Sequence, residues 1–115
     1  MRNVTELPIE TWVVREALTR FGVDSLKLNL QGNRGWPDRL FLLPERPFLV
    51  EFKRPGNEPD PLQAERLATL KILHYDVEVH DDRIQALAAI EARVDAYRTQ
   101  FFSGRYPTGG LPPPR

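Results

Sequence analysis

Hydrophobic spacing changes character several times along the chain, and the changes predict its elements. In IETWVVREALTRF, residues 9–21, the apolar positions Val13, Val14, Ala17, Leu18 and Phe21 recur at helical intervals. Pro8 precedes this segment and Gly22 follows it, which suits a helix start and stop. SLKLNL, residues 25–30, switches to alternation and places Leu26, Leu28 and Leu30 on one side of a strand. The glycines and proline of QGNRGWP mark a loop. RLFLL at 39–43 and FLVEFK at 48–53 read as two strands joined by the turn PERP, which predicts a hairpin. After the polar loop RPGNEPDP, Asp60 suits an N-cap and Pro61 the first position of a helix over 61–74. DVEVH at 76–80 reads as a last short strand, and Asp81 or Asp82 caps a third helix to about Arg98.

The order helix, three strands, helix, strand, helix implies an α/β domain with a mixed sheet flanked by helices. The 115 residues fit one compact domain, expected over 1–98. Residues 99–115 are rich in Pro and Gly and read as an irregular tail that orders only by packing on the core or on a second subunit. Tyr97, Phe101, Phe102 and Tyr106 supply the aromatics for either outcome. A core of this size is small, so oligomerisation would help stability.

Composition narrows the chemistry. The chain has no cysteine, which removes disulfides, thiolate zinc sites and a cysteine nucleophile. Two histidines, His74 and His80, are too few for a histidine-rich metal site and read as structural. A metal here would be held by oxygen, which suits Mg2+ or Mn2+. The net charge is zero, but between Lys27 and Arg54 six basic residues face three acids. No apolar run approaches the roughly 20 residues of a membrane span. The start MRNVTELPIE lacks the apolar core of a secretory signal, so a cytoplasmic protein is expected.

The basic stretch also holds the candidate chemistry. Asp38 lies at the mouth of a strand, after a Gly-Trp-Pro turn, and Glu51 and Lys53 leave one face of the next strand. Phe48, Val50 and Phe52 occupy the other face and suit a core. A hairpin could bring Asp38 beside Glu51, and two converging carboxylates form a hard-oxygen cation site. A cation there can activate water and stabilise charge on a phosphoryl oxygen, with Lys53 assisting. Glu51-x-Lys53 taken alone fits a surface charge pair better. The combination of Pro-Asp, a dozen residues, then apolar-Glu-x-Lys is far more specific.

This stretch resembles the PD-(D/E)xK nuclease superfamily, and more closely its VRR-NUC family. The matching residues are Arg34-Gly35-Trp36-Pro37-Asp38-Arg39 and Val50-Glu51-Phe52-Lys53-Arg54-Pro55-Gly56, with Pro61-Leu62-Gln63, Leu67 and Leu70 downstream. The resemblance spans roughly residues 9–85. It implies a restriction-endonuclease-like fold, metal-dependent DNA cleavage, and action on branched or flapped DNA. Stand-alone members resemble Holliday-junction resolvases, which implies a homodimer. The sequence departs from the family where the second helix turns into the last strand: His74-Tyr75 stands where a Gly is common.

The resemblance also implies a third acid on the first helix. At about 100° per residue, Glu10 falls within about 15° of the centre of the apolar stripe, whereas Glu16 lies more than about 120° away. A carboxylate in an apolar stripe needs a partner or a metal, so Glu10 is the expected third ligand beside Asp38 and Glu51. A first-turn glutamate favoured by the helix dipole is the other reading. Gln63 can close a capping box with Asp60, and the resemblance turns it toward the site as well. Lys27, Arg34, Arg39 and Arg54 are the expected phosphate contacts, or solvated surface charges. Trp36 suits packing beside Pro37 more than stacking on a base. A non-catalytic DNA-binding or assembly subunit on the same fold is the alternative function, favoured by the neutral net charge and the small domain.

Overall fold

A computed structural model describes residues 8–28 and 35–100. Arg34, residues 29–30 of the expected first strand, and Phe101, Phe102 and Tyr106 of the tail lie outside the described residues. The elements are α1 (Ile9–Phe21), β1 (Ser25–Lys27), β2 (Arg39–Phe41), β3 (Phe48–Phe52), α2 (Pro61–Ile72), β4 (Asp76–His80) and α3 (Arg83–Gln100). Their order is the one the hydrophobic pattern predicts. The third helix runs two residues further than expected, into the segment read as tail.

One sheet of order β1-β2-β3-β4 organises the described residues. β1 pairs antiparallel with β2, and β2 with β3, so the PERP hairpin forms. β3 then pairs in parallel with β4, with α2 as the crossover. β2 is shorter than the apolar run suggests. The Leu42 N–H still bonds Asp24 O, the next pair in the β1–β2 register, and the chain then turns aside as the Leu43 N–H donates back to Phe41 O.

Alternation along the strands sorts residues between two cores. Val13, Ala17 and Phe21 of α1 and Ala86, Leu87, Ile90 and Val94 of α3 pack with Phe41, Phe48 and Val50 on one sheet face. Leu67 and Leu70 of α2 pack with Leu49 and Val77 on the other, with Leu28, Trp36 and Leu40 at the margin. The result is a three-layer sandwich. Among the described residues no helix is long and apolar enough to cross a membrane.

Arg93 ties α3 to the sheet. Its guanidinium donates to both carboxylate oxygens of Asp76, at 2.6 and 2.9 Å, and to Glu78 at 3.0 Å. It also lies over the Phe48 ring, 3.7 Å from the centroid. His80 joins through its Nε2, 2.7 Å from Glu78 Oε1, which gives this histidine the structural role expected of it. Burial alone would raise the Glu78 pKa, but the hydrogen bonds from His80 and Arg93 outweigh it and hold the group below its ordinary 4.5. That stabilisation is present above pH 4.5 and is lost as pH falls through the depressed value.

His74 also has a backbone role. α2 ends in a Schellman turn, with His74 N–H bonded to Lys71 O and Tyr75 N–H to Leu70 O, each at 3.0 Å. The turn requires a left-handed residue, and His74 adopts φ 66° there. Arg46 caps its carbonyl at 2.7 Å. His74 thus occupies a position whose backbone favours Gly.

Two outcomes follow. His74→Gly keeps every backbone bond and relieves a left-handed side chain. It should raise stability by about 1 kcal/mol, a few degrees in a thermal melt. Arg93→Met leaves Asp76 and Glu78 without their cation. It should cost about 1–2 kcal/mol at neutral pH, and the deficit should shrink in melts taken below pH 4.5.

Candidate active site

The pairing of β2 with β3 builds the site. Arg39 faces Val50 in the ladder, so Asp38, one residue earlier, comes opposite Glu51, one residue later. Both side chains are buried; Glu51 is only 2% exposed. Asp38 is fixed at both ends: its carbonyl accepts the Leu28 N–H and its Oδ2 accepts the Phe52 N–H, each at 2.8 Å. Glu51 shares the α2-facing side of β3 with Leu49, and Val50 faces the other core.

α2 completes the arrangement from above. Asp60 accepts the Gln63 N–H at 2.9 Å, and Gln63 Oε1 accepts the Asp60 N–H at 3.2 Å, which closes the capping box. The same side chain reaches the sheet: Gln63 Nε2 donates to Glu51 Oε2 at 2.9 Å, and Gln63 Oε1 accepts from Lys53 Nζ. Lys53 Nζ lies 3.1 Å from Glu51 Oε2. Both readings of Gln63 therefore hold at once. The cap fixes the amide, and the amide joins the carboxylate to the ammonium.

Glu51 Oε1 is buried and has no hydrogen-bond partner. Burial is the largest effect on its pKa and raises it; the neighbouring Asp38 charge raises it further, and Lys53 offsets only part. A carboxylate with one oxygen held and the other open, beside a second carboxylate, fits a hard divalent cation.

Glu10 is not brought to this pair. Its Oε2 accepts from Lys27 Nζ and from Arg39 Nε, both at 2.7 Å. Lys27, Arg39 and Val50 form one row across the sheet, on the face that α1 and α3 cover, whereas Glu51 faces α2. Burial would raise the Glu10 pKa, but the bonds and charges of Lys27 and Arg39 lower it overall. Among the described residues no three His, Asp or Glu side chains could hold a metal together. Helical phase put Glu10 on the inward side correctly; it could not show which face of the sheet that side meets. Lys27 and Arg39, expected on phosphates, are the cations that hold it.

Arg54 is exposed and lines a cavity of about 350 Å³ with Pro8, Ile9, Glu10, Phe52, Lys53 and Pro55. Trp36 packs at the margin of the α2 core, with the Arg66 guanidinium 4.6 Å from its ring centroid. The sequence motifs do not include Arg66. The signal for it was its position three residues after Gln63, on the same helical face.

Fold and site together define a three-layer α/β protein with a buried carboxylate pair, a lysine and a glutamine converging where the two central strands, β2 and β3, face α2. No family model matches the chain. Over 84 residues it is 38% identical to a protein of Acyrthosiphon pisum secondary endosymbiont phage 1 described as "Putative nuclease p44", a match covering 72% of this chain and 89% of the phage protein. The chain belongs to the family of that phage protein.

The raised Glu51 pKa has a testable sign. Ionising Glu51 costs the fold stability as pH rises from 4.5 through the raised value, and the cost is fully present above it. Glu51→Gln removes the charge. The variant should melt higher than the parent at neutral pH, and the two should converge near pH 4, in melts without divalent ions.

Proposed function

We propose that this protein is a metal-dependent nuclease of the PD-(D/E)xK type, close to the VRR-NUC family, that hydrolyses DNA phosphodiesters with Mg2+ or Mn2+. The observation that carries the reading is the buried Asp38–Glu51 pair with one Glu51 oxygen left open beside Lys53. The relationship to the phage protein supports nuclease chemistry in general. The motif and the donor set support the metal. A substrate of branched or flapped DNA, and a homodimer, rest on the family resemblance.

Asp38 and Glu51 would hold the cation. When bound, it would supply Lewis-acid stabilisation of the phosphate and make water a better nucleophile near neutral pH. The protein's own groups do the rest. Phe52 N–H holds the Asp38 carboxylate in place, so that carboxylate needs no rearrangement to bind. Lys53 sits at the edge of the pair, held by Gln63 and Glu51, where its ammonium can neutralise charge developing on a non-bridging phosphate oxygen. Gln63 keeps that ammonium and the Glu51 carboxylate in register. Glu10 acts outside the cation site by positioning Lys27 and Arg39. Hydrolysis adds water across one P–O bond, so the reaction needs no further co-substrate.

Asp38→Asn tests this directly. The amide oxygen can still accept the Phe52 N–H, so the variant should fold. With Mg2+ or Mn2+ the parent should cut labelled branched DNA, and the variant should be at least about a hundredfold slower. Either ion should also raise the melting temperature of the parent and not of the variant. Equal cutting by parent and variant would remove Asp38 from the mechanism and sink the proposal.

A further inference from the structure

The geometry points to Arg66, held against the Trp36 ring, as a contact for the DNA backbone phosphate beside the site; the assignment rests on the nuclease reading above. Arg66 follows Gln63 by three residues on α2, so their side chains leave one face of the helix with Cβ atoms about 5–6 Å apart. Trp36 precedes Asp38 by two residues. The two side chains meet, with the guanidinium carbon 4.6 Å from the ring centroid. Each partner is therefore tethered to a residue of the carboxylate site.

The close approach depends on Gly35. Its φ is +87°, and a Cβ there would lie 2.7 Å from Leu62 Cγ and 3.1 Å from Arg66 Cγ. The turn carrying Trp36 and Asp38 is thus pressed onto the helix carrying Gln63 and Arg66. A side chain that only filled this gap could be aliphatic. Arginine instead buries an Nε that has no hydrogen-bond partner. An unpartnered buried donor in a native fold calls for a reason.

Its neighbours sharpen the point. Lys27 and Arg39 hold Glu10, and Lys53 holds Glu51 and Gln63. No carboxylate among the described residues forms an ion pair with Arg66. Its charge is left available, while the indole holds the guanidinium, its carbon 4.6 Å from the ring centroid. A planar fork held on a ring suits phosphate oxygens and loses less side-chain freedom on binding than a free arginine. The contact is to the backbone, so it supplies affinity and position, not sequence preference.

The test measures binding apart from cutting. Parent and Arg66→Gln are compared in the Asp38→Asn background, without divalent ions, on a fluorescein-labelled DNA duplex, with salt varied over about 50–200 mM. Arg66→Gln should bind roughly tenfold more weakly, and its slope of log affinity against log salt should flatten by about one. Arg66→Lys, which keeps the charge and loses the stack, should keep the parent slope and bind a few-fold more weakly. Melting temperatures report packing separately. If Arg66→Gln and Arg66→Lys both lower the melting temperature and both keep the parent affinity and slope, Arg66 is a packing group and the assignment falls. If Arg66→Gln does not fold, Arg66→Lys decides: parent-like affinity overturns the assignment, and weaker binding at unchanged slope supports it. A parent that binds no DNA at any salt, with Mg2+ added as well as without, sinks the nuclease reading itself, a result distinct from either.

Discussion

Two carboxylates buried side by side are the constraint around which this protein is arranged. The register of β2 on β3 sets Asp38 opposite Glu51, and like charges in a low-dielectric place repel. The surrounding groups answer that repulsion. A backbone N–H from β3 holds Asp38, and Gln63 and Lys53 both reach one oxygen of Glu51. The relief is incomplete: Glu51 keeps a raised pKa and an open oxygen. A cation would complete it, so the feature that strains the fold is the one that fits it for chemistry.

The sheet keeps the strained face separate from the structural one. Facing α2 are the carboxylate pair and its polar partners. Facing α1 and α3 are the larger apolar core and two charge networks, Glu10 with Lys27 and Arg39, and Asp76 and Glu78 with Arg93. Each network binds a helix to the sheet. Most cations near the site therefore already have an anion. Within the basic stretch from Lys27 to Arg54, Lys27 and Arg39 share Glu10 of α1, Lys53 pairs with Glu51, and Arg46 caps the His74 carbonyl. Arg54 and Arg66 have no such partner among the described residues.

Much of the fold was legible because its signals are local. Helical spacing, strand alternation, the PERP turn and the Asp60-Pro61 cap each depend on residues within a few positions of one another. The element order followed from them. Ends were less legible: β2 stops at Phe41 although the apolar run reaches Leu43, whose N–H turns back to Phe41 O. His74 shows the reverse. Its residue type does not announce a left-handed backbone; only the Schellman turn closing onto β4 demands one.

The site divides in the same way. The sequence by itself determined that Glu51 and Lys53 share a strand face, that Asp38 opens the paired strand, and that Gln63 both caps α2 and sits on its inward side. Period and spacing are properties of the chain, and they fix which residues can face one another. The tertiary structure alone decided which face each helix covers. It placed α2 over Glu51 and α1 over the opposite side, which separated Glu10 from the pair and gave it to Lys27 and Arg39. It also pressed Gly35 onto Leu62 and so brought Arg66 to Trp36. Layer assignment comes from packing between distant segments, and no local pattern in the chain records it.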